Sequence, residues 1–132
     1  MLMEKEKVKI IENDRFAKFV GLQVEKVEQG YAEVKLELSE DHLNGVGIVQ
    51  GGVIFTLADY AFAAASNASG MVTVGINANI SYFKPPKGKW LIAKAQEISE
   101  TKSICNCTVD IFDDTDRLVA RFNGTGFIKR TE

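Results

Sequence analysis

A glycine pair and a single aspartate are the residues of this chain best suited to chemistry. Gly51-Gly52 begins a stretch that is apolar almost all round as far as Asn67, and Asp59 is the one carboxylate within it. A helix without a polar face is normally buried, and burying a carboxylate is costly unless it is paired or put to use. Asp59 therefore needs an explanation.

The glycines would supply backbone hydrogen-bond donors for a carbonyl group. The first turn of a helix leaves backbone N–H groups without internal acceptors, and the helix dipole adds partial positive charge there. Because glycine allows close approach to the backbone, a carbonyl oxygen bound to the N–H of Gly51 or Gly52 would be polarised, and its developing negative charge stabilised. The alternative is that the pair only permits tight packing of the turn.

Asp59 is the complementary group, as a general base for water or as a nucleophile. The alternative is a carboxylate that reaches solvent at the helix edge. Thr56, on the same helical stripe, is placed to hydrogen-bond it. Gly51 lies eight residues earlier, about 12 Å along a helix, which is too far for both to act on one carbonyl carbon. A shared reaction would therefore need two copies of the chain, which predicts an obligate oligomer with two sites per dimer.

The composition limits the class of protein. The chain has 132 residues, 45% of them hydrophobic, which suits a single domain over 1–132. Its net charge of −2 and isoelectric point near 5.5 argue against a nucleic-acid partner. No apolar run is long enough to span a membrane, and the charged start lacks a secretory apolar region. We therefore expect a cytoplasmic protein.

The elements that must position these residues are one long helix and about six strands. Residues 1–12 form a charged lead-in, either helical or frayed, and Asn13 or Asp14 caps a short helix that ends before Gly21, with Phe16, Phe19 and Val20 on its apolar side. The long helix covers about 51–67. The remaining segments have strand patterns with short connections, which favours antiparallel pairing. The predicted strands are 22–28, 31–38, 72–83, 90–98, 103–112 and 117–129, and Gly124 and Gly126 allow a bend in the last. The prediction is an α+β fold with a curved antiparallel sheet wrapped around the apolar helix.

The cysteines and the single histidine offer little chemistry of their own. Cys105 and Cys107 share one face of a strand, with Cα atoms at the limit of disulfide geometry, so we expect reduced, packed thiols. A metal site would need about four ligands, and none is expected. His42 has no carboxylate partner nearby in the sequence to orient it, which favours a loop residue over a catalyst.

The site segment resembles a known family. The pattern Leu43-Asn44-x-x-Gly47-x-x-Gln50-Gly51-Gly52, followed by Leu57-Ala58-Asp59, resembles the hotdog-fold acyl-CoA thioesterases of the PaaI-like branch, which is named for phenylacetic acid degradation. Asn13-Asp14-x-Phe16-Ala17 resembles the family's N-terminal helix, and Asn79-Ile80-Ser81-Tyr82-Phe83 its third strand.

The resemblance implies a role for each residue of the motif. It implies that Gly51 polarises a thioester carbonyl, that Asp59 of a neighbouring subunit promotes hydrolysis, and that Asn44 orders the loop. It also implies a homotetramer built from dimers with shared sites, an acyl-CoA substrate, and no cofactor, since coenzyme A is part of the substrate.

Two departures keep alternatives open. The family's usual histidine is Gln50, which can donate a hydrogen bond but cannot titrate near neutrality, and a polar position of the third strand falls at Gly75, with Asn77 as the nearest substitute. A weakly catalytic acyl-CoA-binding protein is therefore the alternative to a thioesterase. A hydratase or dehydratase would need a catalytic histidine, for which His42 is badly placed.

Further candidates lie around the motif. The substrate-binding residues suggested are Gly52, Thr56, Asn77, Tyr82, Phe83, Lys84 and Lys102. Lys87 and Lys89 join the two lysines in the loops that, by the resemblance, border the coenzyme A channel. Each lysine is otherwise an ordinary solvated residue, and Tyr82 and Phe83 are otherwise core residues.

Overall fold

The computed structural model describes residues 11–130, so the first ten residues of the predicted charged lead-in lie outside the described range. The elements are helix α1 (Arg15–Val20), strands β1 (Leu22–Glu28) and β2 (Tyr31–Glu37), a 3₁₀ turn (Glu40–His42), helix α2 (Gly51–Asn67), and strands β3 (Val72–Tyr82), β4 (Trp90–Glu100), β5 (Ile104–Asp113) and β6 (Leu118–Lys129). Within the described range, none of the helices has the length and hydropathy needed to cross a bilayer.

The six strands form one antiparallel sheet around α2. The strand order is β1-β2-β4-β5-β6-β3, so β1 and β3 are the edges. Helix α2 contacts every strand of the sheet. Inward-facing residues of β2, β4 and β5 alternate with half-exposed ones, as expected for a sheet with one face on the core. The predicted α+β fold, with its long apolar helix at 51–67, is confirmed.

The glycines of β6 make room for one aromatic ring of α2. The Phe62 ring is buried, and side chains added at Gly124 or Gly126 would come within 3.1 and 3.2 Å of it. Gly75 of β3 lies against the same ring. The sequence prediction assigned Gly124 and Gly126 to a bend. Their more direct role is steric, because the helix can approach the sheet here only where Cβ atoms are missing.

Helix α1 begins and ends as predicted, but its buried side differs. Asp14 is the N-cap and accepts a hydrogen bond from the Ala17 N–H at 2.9 Å, and Gly21 ends the helix in the left-handed conformation. Ala17 is the buried residue, whereas Phe16 and Phe19 are 60% and 87% exposed. Phe16 and Phe19 are three residues apart and stack on each other with ring centroids 6.5 Å apart, on a side of the helix different from that of Ala17.

The two cysteines lie on the inward face of β5 as free, buried thiols. Burial raises the pKa of Cys107 to about 12, and it also raises the pKa of Cys105. Because the thiolate is the reactive form, these cysteines are packing residues, as predicted.

Candidate active site

A compact loop, residues 44–50, leads into the start of α2. The Asn44 side chain closes it, because Asn44 Oδ1 accepts hydrogen bonds from the backbone N–H groups of Val46 at 3.0 Å and Ile48 at 3.1 Å. Gly47 supplies the positive φ that the turn requires, and the Gln50 N–H donates to the His42 carbonyl at 2.8 Å. Asn44 therefore acts on the site by fixing the loop in front of Gln50.

The first turn of α2 leaves one backbone donor open. Gln50 is the N-cap, and its Oε1 accepts from the Gly52 N–H at 2.9 Å. The N–H groups of Val53 and Ile54 both reach the Gln50 carbonyl. Across residues 11–130, the Gly51 N–H has no acceptor. The sequence left Gly51 and Gly52 as equal candidates for a carbonyl donor, and the structure leaves only the Gly51 N–H available.

Tyr82 packs directly on Gly51. Its hydroxyl donates a hydrogen bond to the Gly51 carbonyl at 3.0 Å, and a Cβ added to Gly51 would lie 3.3 Å from the Tyr82 ring. Desolvation raises the pKa of Tyr82, so the hydroxyl stays protonated and remains a donor. Gly51 therefore has a steric reason to be glycine.

Gly51 opens into a cleft of about 330 Å³. Tyr82 and Phe83 line it and are each 49% exposed, so neither is a core residue. The remaining lining residues are Ile48, Val49, Ile54, Lys84, Pro85 and Pro86. A cleft lined largely by apolar side chains, in which one lining residue, Gly51, has an N–H without an acceptor in the described range, suits a carbonyl-bearing ligand.

Asp59 lies in a second cavity, of about 430 Å³, between α2 and β3. Gly75 and Asn77 line it with Asp59, together with Phe55, Phe62, Ala63, Ser66, Thr73, Ile76 and Ala78. The Asp59 side chain is exposed in the single chain. Partial desolvation by the cavity walls nevertheless raises its pKa, and the negative charge of Asp14 raises it further. A raised carboxyl pKa brings a general base closer to neutrality.

Neither Thr56 nor Gly51 is available to Asp59 within one chain. The Thr56 hydroxyl donates its hydrogen to the Gly52 carbonyl at 2.8 Å, so that hydrogen is not available to Asp59, contrary to the sequence prediction. A hydroxyl on a helix commonly bonds back to the carbonyl four residues earlier. Gly51 lines the first cleft and Asp59 the second, so one chain does not bring these two groups together.

The lysines divide into two groups at opposite ends of β4. Lys84 lines the Gly51 cleft, and Lys87 and Lys89 follow it before β4 begins. Lys102 comes after β4, which is an 11-residue strand and therefore spans on the order of 35 Å. Within one chain, Lys102 is remote from the cleft.

His42 is a buried residue with hydrogen bonds at both ring nitrogens, which the sequence does not predict. It is buried, its Nδ1 accepts from the Ser39 N–H at 3.0 Å, and its Nε2 lies 2.8 Å from the Val20 carbonyl, to which it donates. The ring thus ties the end of α1 to the turn that leads into α2. Both ring nitrogens are occupied, which leaves no nitrogen for acid–base catalysis.

Comparison with known proteins places this geometry in a family. The family model described as Thioesterase superfamily matches residues 46–120. The acyl-coenzyme A thioesterase PaaI of Escherichia coli is 33% identical over 114 residues, which are 86% of this chain and 81% of that protein. Its structure, described as the PaaI protein from the phenylacetic acid degradation operon, superposes with a TM-score of 0.89 at 28% identity and covers 98% of this chain and 97% of its own.

Two other solved structures are also similar to this chain. The TT0310 protein of Thermus thermophilus is 36% identical, with a TM-score of 0.82, over 86% of this chain and 97% of its own. A hypothetical thioesterase of Streptococcus pneumoniae, solved with coenzyme A, is 25% identical, with a TM-score of 0.86, over 95% of this chain and 98% of its own.

The chain therefore belongs to the thioesterase superfamily of hotdog-fold proteins. Within that class it is a PaaI-like thioester hydrolase.

Proposed function

We propose that this protein hydrolyses acyl-coenzyme A to the free acid and coenzyme A. The observation that carries the proposal is that Gly51, whose N–H has no acceptor in the described range, lines the cleft. A thioester oxygen bound to that N–H would receive a hydrogen bond and the positive end of the helix dipole. The names of the Escherichia coli and Streptococcus pneumoniae relatives support coenzyme A as the thiol part of the substrate.

The reaction needs a base as well as the donor. In the general-base route, water attacks the carbonyl carbon while its proton passes to Asp59. The C–S bond then breaks, and the thiolate of coenzyme A takes up a proton as the acid is released. In the nucleophilic route, Asp59 attacks the carbonyl carbon first, and the C–S bond breaks as the thiolate of coenzyme A leaves and takes up a proton. Water then hydrolyses the mixed anhydride, which releases the acid and restores the Asp59 carboxylate. A single turnover in ¹⁸O-water labels the Asp59 carboxylate only in the second route.

Gln50 orients the helix start and supplies a second hydrogen-bond donor. Its Oε1 is committed to the Gly52 N–H, which leaves the Nε2 hydrogens free to donate to the thioester. This role does not require titration, so replacement of the family's histidine by Gln50 is compatible with turnover. If the family's histidine transfers a proton, Gln50 cannot replace it. In that case the second candidate is favoured, an acyl-CoA-binding protein with slow turnover.

The shared site requires a second copy, and β3 is the edge that supports one. None of the β3 residues is charged, and Val74 and Ile76 are exposed on it. The opposite edge, β1, carries Glu25, Lys26 and Glu28, the kind of charge that discourages edge pairing. Because β3 also forms a wall of the Asp59 cavity, a two-fold copy docked along β3 would bring its own residues to Asp59 twice per dimer.

Two further parts of the proposal concern assembly and location. Phe16 and Phe19 present an exposed apolar surface on α1 that would be covered if two dimers associate as a tetramer. Light scattering measures the mass, and an active monomer would contradict the shared site. The cytoplasmic location and the phenylacetic acid pathway stay predictions.

The catalytic assignment is tested by thiol release from a panel of acyl-CoAs. Asp59→Asn should lower kcat by about 10²–10⁴-fold, the usual contribution of a general base, while coenzyme A affinity is retained. Asp41→Asn, an exposed aspartate in the 3₁₀ turn, is the matched control and should behave as wild type. Equal rates for wild type and Asp59→Asn would remove Asp59 from the chemistry.

Subunit mixing tests whether the two groups come from different chains. Gly51→Ala and Asp59→Asn subunits, unfolded and refolded together, form mixed dimers in which one site combines the intact Gly51 with the intact Asp59. Random pairing of equal amounts makes half of the dimers mixed, so activity should recover to about a quarter of the wild-type value. If both groups belonged to one chain, mixing would restore nothing.

A further inference from the structure

The segment 83–89, between β3 and β4, forms one wall of the Gly51 cleft and is held along its length. The N–H groups of Phe83 and Lys84 both lie near the Val119 carbonyl, at 2.8 and 3.4 Å. The Lys89 carbonyl accepts from the Leu38 N–H at 2.7 Å, and the Lys89 N–H donates to Asp114 Oδ2 at 2.7 Å. A connecting loop with this many backbone bonds is a fixed wall rather than a flexible cover.

The centre of this attachment is Asp113, at the end of β5. It is a fully buried carboxylate, and its Oδ2 accepts from the Lys87 N–H at 3.0 Å. Its Oδ1 accepts from the Thr115 hydroxyl at 2.6 Å. Burial alone would raise the pKa of Asp113, but the hydrogen bonds from Thr115, Lys87 and Arg117 hold that pKa well below its usual range. The Asp113 carboxylate is therefore ionised near neutral pH.

Arg117 extends the attachment toward the cleft. Its Nη2 lies 2.7 Å from Asp113 Oδ2 and also donates to the Pro85 carbonyl at 3.1 Å. Lys84 immediately precedes Pro85, and a residue before proline is restricted to extended backbone. Fixing the Pro85 carbonyl therefore fixes the direction in which the Lys84 backbone enters the cleft wall.

We infer that Asp113 and Arg117 are positioning residues for coenzyme A, which hold the 83–89 segment so that Lys84 lines the Gly51 cleft. The inference rests on the proposed function, since it names the part of the same site that receives the thiol carrier. The pair touches no reacting atom. Its effect reaches the substrate through Pro85 and Lys84, where an ammonium group can donate to the carbonyls or phosphates of the coenzyme A arm.

The test measures coenzyme A binding by calorimetry, and KM and kcat by thiol release, for Arg117→Gln and Lys84→Met. Each should weaken binding and raise KM by about tenfold, the usual consequence of losing one charge-assisted contact, with kcat within about twofold of wild type. The double variant should be no weaker than either single variant, because both remove the same contact. Hydrogen exchange should show lost protection of the Lys87 and Lys89 amides in Arg117→Gln only.

Arg121→Gln is the matched control. Arg121 pairs with Asp110 between β5 and β6 at 2.7 Å, and its guanidinium hydrogen bonds go to Asp110 rather than to the 83–89 segment. It should bind coenzyme A as wild type does. Asp113→Asn is a second route to the same result should Arg117→Gln fold poorly.

The outcomes separate this inference from the proposed function. If wild type binds coenzyme A and Arg117→Gln or Lys84→Met binds it equally well, the positioning role is wrong while the proposed function stands. Additive losses in the double variant would also overturn it, because Arg117 would then act independently of Lys84. If wild type binds no coenzyme A, the proposed substrate class itself fails.

Discussion

Replacing Gly51 by alanine tests the central feature of the site with little change to the fold. The added Cβ would lie 3.3 Å from Tyr82 Cζ and 3.4 Å from its hydroxyl oxygen, so the ring must move by a few tenths of an ångström. Alanine gains at most about 0.5–1 kcal/mol over glycine in a helix. Weakening the Tyr82–Gly51 hydrogen bond costs about 1 kcal/mol. The free energy of unfolding should therefore change by less than about 0.5 kcal/mol.

The catalytic effect should be much larger. A methyl group beside the free N–H blocks the close approach of the thioester oxygen, and a displacement of about 1 Å at a reacting centre costs about 10²-fold in rate. We expect kcat/KM for acyl-CoA to fall by about that factor, measured by thiol release, with unfolding followed in parallel by denaturant titration.

Gly52→Ala is the control within the same turn. The nearest atom to its Cβ would be Gln50 Oε1 at an ordinary 3.5 Å, and its N–H is already capped. This variant should keep most of its activity and gain up to about 1 kcal/mol of stability. Wild-type kcat/KM in Gly51→Ala, or an equal loss in both variants, would refute the assignment of the carbonyl donor to Gly51.

Three further outcomes follow from the packing and charges. Asp14→Asn preserves the α1 cap, since asparagine caps equally well, but removes a negative charge that raises the pKa of Asp59. The Asp59 pKa should fall, and the decline of kcat/KM in acid should move to lower pH; an unmoved profile would mean that Asp59 is not the base. Phe62→Ala should lower the free energy of unfolding by about 3–5 kcal/mol, because the ring fills the gap left by the glycines of β3 and β6. A loss under about 1 kcal/mol would show that the surrounding residues close this gap without the ring. His42→Ala should cost about 1–3 kcal/mol through the unpaired Val20 carbonyl without lowering kcat, and a collapse of kcat in a folded variant would make His42 part of the chemistry.

Sequence patterns predicted the elements well because their signals are local. The apolar run from Gly51 to Asn67 has a glycine pair at its start and Ser69-Gly70 after its end. In the structure, α2 begins at Gly51 and ends at Asn67. The turn after β3 follows from Pro85-Pro86, which cannot continue a central strand. The sequence of β2 alternates apolar Ala32, Val34 and Leu36 with charged residues, and these three apolar residues are the buried ones.

The details of the site depend on contacts that a linear pattern does not contain. Whether Gly51 or Gly52 keeps a free N–H depends on the direction of the Gln50 side chain. The contact of Tyr82 with Gly51 joins residues 31 apart in the chain. The same holds for the hydrogen bond between His42 and Val20, which are 22 residues apart. The sequence predicts a loop residue at His42, and the residue does lie in the 3₁₀ turn before α2, but its burial depends on this distant contact.

Gln50 has a consequence for how the protein responds to its surroundings. A carboxamide gains and loses no proton across the biological pH range, so the hydrogen bond that organises the helix start keeps the same strength in mildly acidic and in alkaline compartments. An imidazole in its place would become a cation in acid and lose its acceptor. With Gln50, the rate should depend on one ionisation, rising to a plateau as pH increases, where a histidine-assisted relative would show a bell-shaped profile.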